Sequence, residues 1–537
     1  MHSRFSEAST RSSSVPASPA PITRRQFLST ATKTAGVIAA GLTLGEVGTA
    51  ATEKQAFSRS VPDVVQMDAL ALSKAIKTKQ VSCKEVMTIY LDHIERINPK
   101  VNAIVSLQPR DILLKQAAER DAQLAHGEYL GWMHGFPHAV KDLAATKGIR
   151  TTWGSPVLDT VPQQDALFVE RLRKSGVILI GKTNVPEFGL GSQTYNSVFG
   201  TTLNAYDQTK TSGGSSGGAA VSLALRMLPV ADGSDMMGSL RNPAGWNNVI
   251  GFRTSYGRVP AEGGELFLGQ LSTAGPMGRR VADVAMLLSV MAGPDARAPL
   301  SIEQDPAIFT RPLQRDFKGT RIGWLGDLGG HLPIEPGIFE VCQKAMKAFE
   351  IVGCTVEEAR LDFPPERMWN TWLTLRQWLT AGSYGRIYKD PAKRAKMKPE
   401  AVWEVEGGMK LSALDVYEAS AARSDFYRAM SNLLANYEFL LLPTAQVFPF
   451  NAEVHWPKSI NGVTMDTYHR WMEVVVPESL SGLPVIALPA GFGSNNLPMG
   501  VQVIGRHHAD FAVLQVANAY EQATQWTSKY LPPLLKT

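Results

Sequence analysis

Thr211–Pro243 reads TSGGSSGGAAVSLALRMLPVADGSDMMGSLRNP. It sets two serines, Ser215 and Ser239, on separate glycine-rich turns 24 residues apart, joined by a stretch that predicts one buried helix. Glycine lets the backbone approach a ligand closely and supplies conformations that residues with a Cβ avoid. A serine on such a turn can aim its hydroxyl and the neighbouring backbone N–H groups at one point. Acyl transfer needs that combination, a nucleophile beside donors for the developing oxyanion. Glycine–serine clusters are usually plain surface loops, and GGSSGG alone would not separate the two readings. The second glycine-flanked serine favours chemistry.

The chain of 537 residues carries a formal charge of +5, with 44% hydrophobic and 19% charged residues. That describes a large globular protein with ample core rather than a disordered or fibrous one. The mild positive balance is spread along the chain, so the clustered basic stripe of a nucleic-acid-binding protein is missing. Residues 1–55 read as an export signal and an unpatterned N-terminus. Thr23-Arg24-Arg25-Gln26-Phe27-Leu28-Ser29 precedes a short apolar stretch, Ala35 to Leu44, and small residues at Gly48, Thr49, Ala50 and Ala51. Paired arginines, a short apolar region and a small-residue cleavage site resemble the bacterial twin-arginine signal. The expectation is a periplasmic or secreted protein; a basic tail on a cytoplasmic enzyme is the alternative. The apolar stretch is too short to span a bilayer. Cys83, Cys342 and Cys354 form neither an even framework nor a CxxC.

Residues 60–535 read as one continuous α/β domain. Ser82 and Glu85 form a capping box before a helix with Val86, Ile89, Tyr90, Ile94 and Ile97 on one face, ended by Asn98-Pro99. Leu113 to Leu124 is a second helical pattern. Short apolar runs at 136–140, 177–180, 439–442, 485–488 and 501–504 read as buried strands. Their alternation with helical patterns predicts a central mixed sheet flanked by helices on both faces. Residues 364–437 read as a mainly helical elaboration rich in Trp and Tyr.

Two familiar motifs are decoys. Gly176-Val-Ile-Leu-Ile-Gly181-Lys182-Thr183 satisfies G-x-x-x-x-G-K-[ST], but its middle residues suit a strand and not a phosphate-wrapping loop. Gly213-Gly214-Ser215-Ser216-Gly217 satisfies G-x-S-x-G, yet polar, turn-like residues precede it where a nucleophile elbow needs a buried strand. His455, His469, His507 and His508 follow it, which leaves a Ser-His-Asp esterase open. The ten histidines show no H-E-x-x-H and no Cys/His ligand spacing, so neither a metal nor a cofactor is expected.

Three blocks in order carry a resemblance: Gly135-Phe136-Pro137-His138-Ala139-Val140-Lys141-Asp142, the GGSSGG turn, and Gly233-Ser234-Asp235-Met236-Met237-Gly238-Ser239-Leu240-Arg241. Gly181-Lys182-Thr183-Asn184, Gly257-Arg258-Val259-Pro260, Gly275-Pro276-Met277, Ala292-Gly293-Pro294-Asp295 and Ser481-Gly482-Leu483-Pro484 extend it. Over roughly residues 65–525 the chain resembles the amidase signature family of serine hydrolases, least so between about 300 and 435. The resemblance implies a mixed sheet flanked by helices and catalysis by Ser-Ser-Lys without histidine. Ser239 would be the nucleophile, Lys141 the base, and Ser215, preceded by a cis peptide bond, the bridge; the 24-residue spacing favours Ser215 over Ser216 for that role. Backbone N–H groups of Met236, Met237, Gly238 and Ser239 would hold the oxyanion, a contribution of about 3–4 kcal/mol per donor. Asp235, Arg241, Gly214 and Gly217 would brace the turns. Gly189 falls where some relatives place a substrate contact. The chain departs from the family at Met237, where glycine is usual.

A lysine serves as base near neutral pH only when its pKa is lowered, as burial does. Lys141, at the end of an apolar run, is placed for that. The function expected is hydrolysis of the C–N bond of a small-molecule carboxylic amide, aryl or apolar acyl amides included and esters with them. The alternatives are an amide-binding protein altered at Met237 and an amidotransferase component that works on charged transfer RNA, which the export signal and the absent basic stripe disfavour. Trp369, Trp372 and Trp378 are read as core packing or as an aromatic substrate wall. No nucleic acid and no membrane span are expected; a second copy, in a homodimer, is the protein partner considered.

Overall fold

The capping box at Ser82 forms as read. Ser82 Oγ accepts the Glu85 N–H at 3.1 Å, and Glu85 Oε2 accepts the Ser82 N–H at 2.9 Å. The helix it opens, Cys83–Ile97, buries Val86, Tyr90, Ile94 and Ile97. Asn98 then ends it, its Oδ1 accepting the N–H groups of Ala103 and Ile104. The second helical pattern is the helix Arg110–Ala125. The computed structural model describes residues 63–536. All of them fall in one of the two units into which the chain divides, Ala56–Thr537. The twin-arginine stretch lies outside the described residues. No helix among the described residues is long and apolar enough to cross a membrane.

The strands in chain order are β1 (Ile104–Val105), β2 (Pro137–Lys141), β3 (Ile178–Thr183), β4 (Ala231–Asp235), β5 (Ile250–Arg253), β6 (Thr273–Gly278), β7 (Arg321–Trp324), β8 (Thr355–Glu358), β9 (Phe439–Pro443), β10 (Ser459–Ile460), β11 (Val463–Thr464), β12 (Val485–Phe492) and β13 (Pro498–Gly505). Eight of them form a mixed sheet in the order β4-β6-β5-β12-β13-β9-β7-β8. Pairing is antiparallel from β4 to β9 and parallel across β9-β7-β8. Every residue of β13 is buried, as a strand covered on both faces requires. The helices Arg241–Trp246, Ile338–Ile351 and Asp510–Thr524 pack on the central strands. A smaller sheet has the order β1-β3-β2, with β2 and β3 parallel.

The apolar runs mark strands that extend beyond them. β3 carries on through Gly181-Lys182-Thr183, so the residues that mimic a phosphate loop are strand interior, all buried. Lys182 Nζ donates to Ala144 O at 2.6 Å and Thr146 Oγ1 at 2.8 Å, which uses it inside the protein. Residues 364–437 hold three long helices, Pro365–Tyr388, Pro399–Met409 and Ala413–Asn436, the last opened by a second capping box at Ser412 and Asp415. Trp369 and Trp372 are buried in the main core and Trp378 is half-buried.

Candidate active site

Two strands bring Lys141 and the turn of Ser239 together. Lys141 is the last residue of β2, in the small sheet, and Asp235 is the last residue of β4, the edge strand of the large one. Asp232, in the middle of β4, ties the two sheets together at this point. Its Oδ2 accepts the Lys141 N–H at 3.1 Å, and its Oδ1 lies 2.9 Å from His138 Nε2. All three side chains are buried.

The Lys141 amine points at the GGSSGG turn. Nζ donates to Ser215 Oγ at 2.9 Å, Ser216 Oγ at 2.8 Å and the Ser234 carbonyl at 3.0 Å. Burial lowers the pKa of this amine, the charges of Asp235 and Asp232 raise it, and the balance is about 7. The Gly214–Ser215 peptide bond is cis. Ser216 precedes the helix Gly217–Ala224, whose residues are all buried. A side chain at Gly217 would run into Thr194 and Ser212, so glycine is required for the turn to lie this deep.

The second turn is built on Asp235. Its Oδ1 accepts the Gly238 N–H at 2.9 Å and its Oδ2 the Leu240 N–H at 3.0 Å. Arg241 closes the arrangement with Nε on Oδ2 at 3.0 Å and Nη2 on Oδ1 at 2.9 Å. Burial alone would raise the Asp235 pKa, but the charge and hydrogen bonds of Arg241, with Arg253 beside them, hold it below the usual carboxylate range. Gly238 has φ +79°, and a Cβ there would strike the Asn242 side chain. Of the four expected oxyanion donors, Gly238 is therefore committed to Asp235. The N–H groups of Met236, Met237 and Ser239 make no hydrogen bond among the described residues. Met237 is not among the residues with positive φ, so the side chain replacing the usual glycine costs the turn no backbone strain.

Ser215, Ser234, Met236, Met237 and Ser239 open on one cavity of about 390 Å³. Gly189 lies on its wall with φ +72°, and a Cβ there would sit 3.4 Å from Ser215 Oγ and 2.7 Å from Leu143 Cδ1. Arg376, Leu379, Thr380, Ser383 and Tyr384 also line the cavity. Their spacing is one face of the helix Pro365–Tyr388. Tyr384 stacks on Phe188 with ring centroids 4.4 Å apart, and Trp153 meets Tyr384 edge-on at 6.4 Å. The aromatic wall is thus Trp153, Phe188, Tyr256 and Tyr384; Trp369, Trp372 and Trp378 do not line it. Nor does any histidine, which leaves a Ser-His-Asp reading without its base. His469 is buried against Thr467 Oγ1 at 2.8 Å, and His507 stacks on His508.

A family model for amidases matches residues 85–514. The chain belongs to the amidase signature family. It is 32% identical over 473 residues to an acylamidase of Rhodococcus erythropolis, covering 86% of this chain and 96% of that protein. To a glutamyl-tRNA(Gln) amidotransferase subunit of Thermosynechococcus vestitus it is 33% identical over 484 residues, covering 85% and 97%. A solved structure of a bacterial aryl acylamidase of the same family superposes with a TM-score of 0.80 at 29% identity, over 86% of this chain and 97% of that one.

In this amidase, sequence reasoning passed over four groups at the site. Asp232 carried a usable signal, an acidic residue directly after the apolar Val230-Ala231 and three residues before Asp235. His138 stood inside the quoted blocks without a role, and Ser216 was weighed only for the bridging role that the spacing gives to Ser215. Arg376 had no local signal at all, because the helix that carries it lies in the stretch least like the family.

Proposed function

We propose that this amidase is a serine amidohydrolase that cleaves the C–N bond of carboxylic amides with aryl or apolar acyl groups through an acyl-enzyme on Ser239. The observation that carries the reading is the Lys141 amine, buried, lowered to about 7 and bonded to Ser215 within the cavity that Ser239 lines. A neutral amine has two N–H groups and one lone pair. With its N–H groups on Ser216 Oγ and Ser234 O, the lone pair is left for the Ser215 hydroxyl. Ser215 passes its proton to Lys141 and takes the proton of Ser239 as Ser239 attacks the amide carbonyl. The oxyanion of the tetrahedral intermediate is held by the free N–H groups of Met236, Met237 and Ser239. The proton returns by way of Ser215 to the leaving nitrogen, the C–N bond breaks, and the amine departs. Water, deprotonated along the same path, then hydrolyses the ester on Ser239. The aromatic wall and about 390 Å³ of space suit an aryl or medium acyl group.

Labelling with a fluorophosphonate tests this reading. The protein is expected to take one label per chain, at Ser239, and the Ser239→Ala protein none. A wild-type chain that stays unlabelled under conditions that label other serine hydrolases contradicts it. The similarity to amidotransferase subunits supports a second reading, glutamine hydrolysis for transfer to charged transfer RNA, expected to show as glutaminase activity dependent on partner subunits.

We further propose export by the twin-arginine route, carried by Arg24-Arg25 and the apolar stretch after them. Residues 1–55 fused to a folded reporter should deliver it to the bacterial periplasm, and lysines in place of both arginines should stop it.

A further inference from the structure

Arg376 is the one basic side chain among the described residues that line the cavity. Its side chain is buried and lines the cavity with Ser239 and Met236. Two of its three nitrogens are tied down. Nε donates to Glu404 Oε1 at 2.5 Å and Nη2 to Tyr468 Oη at 2.7 Å, while Tyr468 Oη donates to the same Glu404 oxygen at 2.7 Å. The plane of the guanidinium is thereby fixed. Nη1, with two N–H groups, has one partner among the described residues, the thioether sulfur of Met236 at 3.5 Å. A thioether is a weak acceptor, and a buried charged donor left short of partners is costly. Met236, which takes that weak bond, lines the same cavity as Ser239, so the under-used donor stands at the cavity wall.

Charge decides what it would take. Glu404 forms an ion pair with the guanidinium inside the protein, and Glu262 and Glu265 line the cavity as well. A carboxylate entering would meet a cation already neutralised and, since Glu262 is paired with Arg297, the further carboxylate of Glu265, which is held only by backbone N–H groups. A neutral oxygen acceptor would complete the hydrogen bonding of Nη1 without adding charge. Thr380 and Ser383, farther along the same helix face, bring two more hydroxyls to that wall.

Resting on the amidohydrolase reading above, we propose that Arg376 selects amides carrying a second, neutral hydrogen-bond-accepting oxygen, such as an ether, ketone or further amide carbonyl, besides the carbonyl that is cleaved. Arg376 acts as a specificity residue, donating from Nη1 to that oxygen, and takes no part in proton transfer.

The test uses two pairs of anilides matched in size, one pair with and without an ether oxygen in the acyl chain, the other with and without a methoxy group on the ring. The wild type is expected to favour the oxygen-bearing member of at least one pair in kcat/KM by about tenfold or more, as a hydrogen bond to a charged donor gives. Arg376→Met combined with Glu404→Leu, which leaves no buried charge unpaired, should erase that preference while still hydrolysing the plain anilide. Arg376→Lys, which keeps the ion pair and loses the planar fork, should reduce the preference in a chain that folds normally. Equal rates within both pairs for the wild type, or a preference that survives both variants, would overturn the assignment. Failure of the wild type to hydrolyse all four anilides would instead overturn the amidohydrolase reading, and this inference with it.

Discussion

The two sides of the cavity are made in different ways. On one side, Lys141, Ser215, Ser216 and Asp235 sit at strand ends and on glycine turns, buried and held by hydrogen bonds of 2.8 to 3.0 Å. Many of those bonds run to backbone or between neighbours in sequence, so little freedom is left to the residue types. On the other side, the wall belongs to one face of the helix Pro365–Tyr388, backed by the helix Pro399–Met409. A small separate core of Phe188, Leu190, Met397, Ala401 and Val405 joins it to the rest. What matters there is shape and a few polar tips, and many side chains can satisfy an apolar wall. On the function proposed above, the chemistry belongs to the rigid side and the choice of substrate to the packed one.

Substitutions should therefore separate kcat effects on one side from KM effects on the other. The largest loss is expected for Ser239→Ala, a folded protein with hydrolysis reduced by at least about a thousandfold, as removal of a covalent nucleophile costs. Retention of more than about a hundredth of wild-type kcat would break the comparison at its firmest point. Tyr384→Ala removes the ring stacked on Phe188 and opens the wall. Its expected effect is a rise in KM for aryl amides of about tenfold, in line with an aromatic pair and its buried area, with kcat little changed. A loss confined to kcat would mean that the wall orients the reacting groups as well as holding the substrate. The smallest change in rate is expected for Asp232→Asn. Removing that carboxylate takes away a charge that raises the Lys141 pKa, so the ammonium becomes harder to form. The acid limb of kcat/KM should move to lower pH while the rate on the plateau falls only several-fold. Movement to higher pH would assign Asp232 a structural role alone.

The same contrast explains what the sequence made legible. Turns that need glycine and strands that must bury lysine leave short, ordered signatures, and the family resemblance that singles out Lys141, Ser215 and Ser239 rests on them. β2, β3, β9, β12 and β13 were recognised by their apolar cores but not their ends, since β3 continues through Gly181-Lys182-Thr183 and β13 begins at Pro498, residues without a strand signature of their own, while β4 to β8 carry no such run and went unread. The core-packing reading of Trp369 and Trp372 holds, and the aromatic wall that the cavity does have went unread for a different reason. Trp369 and Trp372 are the loudest residues of the helical elaboration, yet they fill the core, while the cavity takes the quieter Tyr384 and, from another segment, Phe188. Helical spacing tells which residues share a face; which neighbour that face meets depends on tertiary packing. The commitment of the Gly238 N–H to Asp235 was likewise invisible until the turn had coordinates.

The account depends most on Lys141 being a neutral base. The rate of fluorophosphonate labelling measures attack of Ser239 on phosphorus, a P–O bond forming as fluoride leaves, with no substrate to choose, and its pH dependence from about pH 5 to about pH 9 reads the base directly. A group lowered to about 7 is protonated and idle below that pH and active above it. Labelling should accordingly rise with pH through an apparent pKa near 7 and level off. Lys141→Arg, charged throughout this range, should be folded and unlabelled at every pH. A flat profile for the wild type, or labelling of the arginine variant at a comparable rate, would contradict the mechanism.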